Sequence, residues 1–520
     1  MSELSPNFTH RETVIIIVGL MLGMFLAALD QTIVATALPH IAADLRGTEH
    51  LSWIVSSYLL ISTAATPIYG KLSDLYGRKL MLQIAIVIFL AASILCAVAA
   101  SLTQLIVFRA LQGLGGGGLL AMAHATIADV ISPRERGRYQ GYFAGVYAAA
   151  SVIGPVLGGL FADYLTWRWV FWINLPIGIA ALAVSQYALR RLVAKRLRHK
   201  IDYPGAALIV AGVCCVLLVT TMGGNEAAWD SSLIEALAGA AVLLFGLCVL
   251  QERHASEPIL PPRLFRNPVF VVANVLNLLV SVTMIGSLIF MPLFLQLTYG
   301  LTAGNSGLML IPLSGATTIG AVTSGRLVAV TGRYKIFPIV GLIGNLLGLM
   351  LVSTVTATTP LVVTAAYLFL AGIGLGCVLP VMIVVIQNAI DVRDLGTGTA
   401  SVSFFRSMGG SFGVALFGAV LLARLNAAIA AIPGHDALGP DAGTRLLHAG
   451  AAALKIIPSG FEAVVQGAMT LAFHDMFQVG AAISLLSLLV AGFLKELPLR
   501  TTSGLADQRA DVTVEVSFGD

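Results

Sequence analysis

Long apolar runs, rather than short alternating ones, organise this chain. Stretches of about 20 apolar residues, the length that crosses a ~30 Å hydrocarbon core, recur near 14–38, 51–70, 80–100, 104–128, 139–163, 170–190 and 204–223. They continue near 233–251, 268–292, 304–326, 336–355, 360–387, 397–423 and 473–494. The pattern predicts fourteen membrane-spanning helices and an all-α membrane protein. The first run is too long for a leader's apolar region, carries Asp30 and has further spans behind it, so it reads as a retained helix. An even number of spans puts both termini on one side.

Polar positions between the runs decide which side. Loops sharing a side with the N-terminus hold Arg11; Lys71, Arg78 and Lys79; Arg134, Arg136 and Arg138; and the basic stretch Arg190–Lys200. Arg253, Arg263, Arg266, Arg326, Arg333, Lys335, Arg393, Lys495, Arg500 and Arg509 follow on the same side. Arg46, Arg168, Arg445 and Lys455 fall opposite, while Arg109, Arg406 and Arg424 lie within runs. Because retained loops collect Lys and Arg on the cytoplasmic face, both termini are expected there. The long outer segment 424–472 has Ala-rich stretches at 442–456 and 460–472. These read either as short helices over the outer mouth or as a solvated linker. The tail 501–520 lacks a core-forming pattern and reads as disordered.

Composition removes the alternatives. Of 520 residues, 58% are hydrophobic and only 11% charged, with a mean hydropathy of +0.91. No water-soluble surface can be made from so little charge. The net charge of +4 is spread among loops without a separate basic patch, so nucleic acid is not an expected partner. Cys96, Cys214, Cys215, Cys248 and Cys377 all lie in apolar runs, as small hydrophobes rather than metal ligands or disulfide partners. No P-loop, HExxH helix or GxSxG elbow is present, so neither ATP hydrolysis nor hydrolytic catalysis has support, and no metal or cofactor is expected. A channel would need a repeated filter segment, and none is visible.

The chain contains an internal repeat. GKLSDLYGRK at 70–79 matches GRLVAVTGRYK at 325–335, aligning Gly70 and Gly77 with Gly325 and Gly332 at an offset of 255. Gly113–Gly137 matches Gly372–Gly396 at an offset of 259, bringing Arg134 onto Arg393. Gly154 and Gly158 match Gly409 and Gly413. Two six-helix halves, 1–195 and 261–500, then leave 196–260 as a two-helix insertion. Duplicated halves around a midplane site are a transporter design.

Within the first half, Asp30 lies about 24 Å from the charged-loop end at 1.5 Å per residue, and Arg109 about 22 Å. An intramembrane carboxylate is paired or functional by default, and matching depth allows these two to pair. A static structural ion pair and a proton-exchanging one both remain open. Gln112, three residues beyond Arg109, shares its helical face. His124, Tyr58, Tyr147 and Arg406 are further candidates for lining a substrate cavity. Asp74 is an acid that topology alone does not explain, and it can pair with basic helix ends such as Arg134 or Arg138. Gly154, Pro155, Gly158 and Gly159 fall mid-helix, where glycine permits close approach and proline frees a carbonyl.

Four motifs give the chain a resemblance over residues 10–500 to the major facilitator superfamily, specifically its fourteen-helix drug:proton antiporter family. LDQTIVATALP (29–39) is similar to that family's first-helix motif and GKLSDLYGRK (70–79) to the superfamily's loop motif. RALQGLGGG (109–117) and GPVLGG (154–159) resemble its fourth- and fifth-helix motifs. Ala35 stands where Asn is common, and Ala329 replaces Asp74 in the second copy of the loop motif. The resemblance implies proton-coupled export of small amphipathic or cationic compounds by alternating access across a bacterial cytoplasmic (inner) membrane. It assigns proton coupling to Asp30 and Arg109, and gating to Gly70, Asp74, Gly77, Arg78, Lys79, Gly154, Pro155, Gly158 and Gly159. The GPVLGG glycines and Pro155 imply antiport. Export of one specific metabolite, peptide, lipid or siderophore is the alternative. The expected partners are small-molecule substrates, protons and the lipid bilayer, with a monomer that either works alone or meets a periplasmic adaptor.

Overall fold

The computed structural model describes residues 10–45, 52–190, 202–224, 227–255, 257–433, 442–449 and 461–500. The basic stretch 191–200 and the tail 501–520 lie outside them. The described residues are helical, with one isolated bridge between Gly223 and Ala227. The helices are α1 His10–Leu45, α2 Ser52–Tyr76, α3 Arg78–Ala97, α4 Leu102–Val130, α5 Pro133–Tyr164, α6 Trp169–Trp172 and α7 Asn174–Ala188. Next come α8 Tyr203–Met222, α9 Ser232–His254, α10 Pro268–Tyr299, α11 Ala303–Leu308 and α12 Ile311–Thr331. The series ends with α13 Ile336–Val352, α14 Leu361–Ala389, α15 Leu395–Ala430, α16 Ala442–Ala449 and α17 Glu462–Gly492.

Twelve of these segments are long and apolar enough to cross a membrane, α6 with α7 counting as one and α11 with α12 as another. The two expected runs outside that set are α2 and α13. Ser, Thr, Lys71 and Asp74 dilute the hydropathy of α2, and α13 is only 17 residues long. The final span also starts earlier than its apolar run. Residues 462–472 are the first turns of α17, and α15 runs on to Ala430, so much of the segment read as an outer loop is helix. Ala, Leu and Val extend these helices at little cost beyond the apolar cores. Val242, Val330 and Val362 are 75%, 75% and 80% exposed, an outer surface made for lipid rather than water.

The helices gather into two bundles. In the first, α1 packs on α4, α5 and α7, α2 on α4, and α3 on α4 and α7. In the second, α10 packs on α15 and α17, and α14 on α12 and α13. The repeat seen in the sequence appears as repeated geometry. Gly77 after α2 and Gly332 after α12 both hold a positive φ, 93° and 69°, which glycine enters without the strain a side chain would meet, although ψ differs between them at 148° and 2°.

Between the bundles, α5 meets α12 and α2 meets α15. Helix α8 lies against both α2 and α15, with Ile209, Val213 and Leu217 buried beside Ala64 and Phe404. The insertion therefore covers one seam between the bundles. Its sequence offers Glu235 as the one acid within an apolar run, and that side chain is exposed. The buried acids sit at the helix ends instead. Asp202 caps α8, accepting from Gly205 N at 3.0 Å and Gln251 Nε2 at 2.9 Å. Glu252 accepts from the backbone of Ile259 and Leu260, each at 3.2 Å. Nearby, Lys71 of α2 binds Glu257 at 2.6 Å.

Candidate transport site

Asp30 and Arg109 meet inside the first bundle, at 0% and 1% side-chain exposure. Arg109 Nη1 stands 2.6 Å from Asp30 Oδ2. The other carboxylate oxygen accepts from Gln112 Nε2 at 2.9 Å and Asn174 Nδ2 at 3.0 Å. Arg109 also donates to Gln112 Oε1 at 2.7 Å and to the Ile54 carbonyl at 3.2 Å. Its guanidinium lies 4.4 Å above the ring centre of Tyr58. A buried charge pair survives desolvation only when its remaining donors and acceptors are also bonded, and α1, α3, α4 and α7 each contribute to that. Sequence depth placed Asp30 opposite Arg109 and put Gln112 on the right face. Asn174, and Ser93, which accepts from Gln112 Nε2 at 2.7 Å and from Asn174 Nδ2 at 3.2 Å, carry no motif that would have marked them. Tyr58, expected to line the cavity, is fully buried beneath Arg109 instead.

At the bundle end carrying loop 70–79, Asp74 bridges the bundles. Its carboxylate binds Arg78 at 2.6 Å and caps α15, accepting from Gly396 N at 3.0 Å and Thr397 N at 2.9 Å. The Arg134 and Arg138 side chains, suggested by sequence as its partners, lie outside the description. The capping arrangement puts a carboxylate at a helix N-terminus, where free N–H groups and the helix dipole favour it. Arg78 joins Asp129 of α4 at 2.7 Å. Lys79 makes no ion pair among the described residues. Gly70 packs against Gly396 and Ala400, where a Cβ would stand 2.8 Å from the Gly396 carbonyl. A second bridge runs from Arg136 Nη1 to Gln387 Oε1 at 3.2 Å. Gln387 in turn donates to the His124 carbonyl at 3.2 Å and to Thr399 Oγ1 at 3.0 Å. Beside it, the backbones of Gly137 and Gly325 cross with no room for a side chain on either. Arg136 and Gln387 were not singled out together, because residues 251 apart in sequence carry no joint signal.

Further along α5, the glycine motif divides by face. Gly154 and Gly158 lie directly on Thr32, Ile33 and Thr36 of α1. Pro155 is exposed, and nothing lies within 4 Å of a Cβ on Gly159. Two of the four motif residues thus pack in the α1–α5 contact and two face away from it.

Between the bundles, the remaining candidates lie near one another. His124 on α4 is 3% exposed, with Phe143 edge-on at 5.4 Å. Tyr147 on α5 donates to Gln31 Oε1 at 3.1 Å. Half-buried Arg406 reaches from α15 of the second bundle into electrostatic range of both.

Two bundles of apolar helices, with charged groups held in their interior and at the seam, define a membrane transporter rather than an enzyme. The family model described as Major Facilitator Superfamily matches residues 20–414, and the chain belongs to that superfamily. Multidrug transporter protein MdtP of Bacillus subtilis is 38% identical over 81% of this chain and 78% of its own length. Multidrug resistance protein 3 of the same organism is 36% identical, covering 78% and 79%. The uncharacterized MFS-type transporter Rv1877 of Mycobacterium tuberculosis is 37% identical, covering 96% and 72%. These relatives place the chain in the drug-efflux family of the superfamily. Among solved structures, the proton:xylose symporter XylE superposes with a TM-score of 0.61 at 14% identity, covering 96% of this chain and 99% of XylE. That likeness concerns the fold.

Proposed function

We propose that this protein is a secondary active multidrug exporter that exchanges small amphipathic compounds for protons by alternating access. The observation that carries this reading is Asp30, a fully buried carboxylate held by Arg109, Gln112 and Asn174. Such a group can take a proton only if its donors are rearranged, which links protonation to the packing of α1 against α4 and α7. The multidrug names of relatives at 36% and 38% identity support efflux as the direction. In this reading all fourteen apolar helices span a bacterial cytoplasmic membrane, with both termini and loop 70–79 cytoplasmic. The halves are 1–195 and 261–500, with 196–260 inserted between them. Asp74, Arg78, Gly70 and Gly77 latch the cytoplasmic end, and the Arg136–Gln387 bridge closes it further. The present arrangement is then one in which the cytoplasmic end is closed.

The test is transport by purified protein in liposomes with an imposed pH gradient, following a fluorescent amphipathic dye and proton flux together. Wild type is expected to couple the two. Asp30→Asn is expected to fold and reach the membrane but move neither dye nor protons against a gradient. Full coupled efflux by Asp30→Asn would overturn the assignment.

A further inference from the structure

The interior of the molecule treats its two kinds of charge differently. Buried acids are already engaged: Asp30 by three donors, Asp129 by Arg78, and Asp74 by Arg78 and the start of α15. Arg406 has no ion pair or hydrogen bond among the described residues. Yet it is half-buried within a membrane-spanning helix, where an unpaired charge is costly.

Across the seam, His124 is 3% exposed and neither of its ring nitrogens has a hydrogen-bond partner. Gln140, also 3% exposed, lies beside His124, and its Nε2 has no acceptor. Buried polar groups are ordinarily satisfied. The Arg406 guanidinium has donors only, and His124 and Gln140 each add an N–H beside an acceptor of their own, so a ligand that engages all three through N–H groups must bring acceptors. A carboxylate supplies four lone-pair sites and matches the planar fork of arginine. A cation would meet Arg406 as a like charge and leave every donor unused. Phe143 beside His124, together with Tyr147, offers ring faces and edges to an apolar body.

We propose that Arg406, His124 and Gln140 form an anion-recognition site, so that this transporter prefers amphipathic carboxylates over the cationic compounds implied by its motifs. The site rests on the efflux reading above and narrows its substrate class. Two of its residues sit on α4 and α5 and one on α15, so a bound carboxylate joins the two bundles and is held only while they approach at this depth.

A matched pair of probes tests the assignment: 2-naphthoate and (2-naphthylmethyl)trimethylammonium, which share an aromatic body and differ in charge. Equilibrium binding is measured on full-length purified protein, and pH-driven export of each probe is measured in liposomes. Wild type is expected to bind the carboxylate at least tenfold more tightly than the ammonium. Arg406→Gln should lose about tenfold or more of carboxylate affinity with ammonium binding unchanged, and Arg406→Lys should recover part of the loss. Gln140→Leu, which removes one donor without touching charge, should weaken the carboxylate alone and gives the same readout if Arg406→Gln fails to fold. Tighter ammonium than carboxylate binding by wild type, or unchanged carboxylate affinity in folded Arg406→Gln and Gln140→Leu, would overturn the site. Export of the ammonium alone leaves the efflux reading standing and removes the anion assignment. Neither binding nor export of either probe removes both.

Discussion

The two bundles share packing and differ in chemistry. Gly113 of α4 lies against the Tyr58 carbonyl of α2, and its counterpart Gly372 of α14 lies against the Leu313 carbonyl of α12. Gly154 and Gly158 sit on α1, and their counterparts Gly409 and Gly413 sit on α10. At the offset of 259 that aligns Gly113 with Gly372, however, Arg109 falls on Leu368, and at 255 Asp74 falls on Ala329. Several polar groups inside the second bundle serve its own packing: Asn274 and Asn277 return bonds to carbonyls one turn back, and Asn345 receives Ser484 at 2.6 Å. Small residues at helix crossings are thus the duplicated scaffold, and the buried ion pair is an addition to one copy. Such a pair costs desolvation that leucine avoids, so a structural role alone does not account for it.

Replacing Arg109 with the residue of the other bundle should have the largest effect. Arg109→Leu leaves Asp30 buried and uncompensated, which costs about 3–5 kcal/mol, and transport should fall to background. Asp30→Leu combined with Arg109→Leu should regain thermal stability, because it converts this site to the apolar form of the second bundle, but should not regain proton-coupled efflux. Recovery of transport by the double variant would break the contrast between the bundles.

The shared scaffold makes a symmetric prediction. Leucine at Gly158 would collide with the Ile33 carbonyl and Thr36, and at Gly413 with the Val282 backbone. Overpacking of this kind costs about 1–3 kcal/mol, so Gly158→Leu and Gly413→Leu should lower folded yield similarly, by about fivefold, as read by size-exclusion chromatography of solubilised protein. A loss confined to one bundle would show that the repeated contacts are not equivalent.

A smaller change is expected at the latch. Asp74→Asn loses charge-assisted bonds worth about 1.5–3 kcal/mol at the start of α15. Hydrogen exchange at Gly396 and Thr397 should accelerate at least about tenfold, with partial loss of transport. Unchanged exchange there would show that Asp74 does not hold the bundles together. Least affected should be Glu235→Gln, on the exposed start of α9. Proton release on addition of substrate should stay within about twofold of wild type, and its loss with normal folding would bring the insertion into the transport path.

Helical class, membrane solvent, the repeat and the depth match of Asp30 with Arg109 were legible in the chain because each depends on local composition or on fixed helix rise. Gln112 was legible for the same reason, lying one turn from Arg109. Span edges were less so: α17 begins about three turns before its apolar run, since helix propensity continues where hydropathy fades. What only tertiary structure decided were the meetings between distant segments. These include Asn174 on Asp30, Asp74 on the start of α15, Arg136 on Gln387, and α8 against both α2 and α15. It also separated Gly154 and Gly158 from Pro155 and Gly159, and buried Tyr58 under Arg109. Side-chain period tells which residues share a helix face. Which neighbour that face meets depends on how the two bundles are set against each other, and no local property of the sequence encodes that.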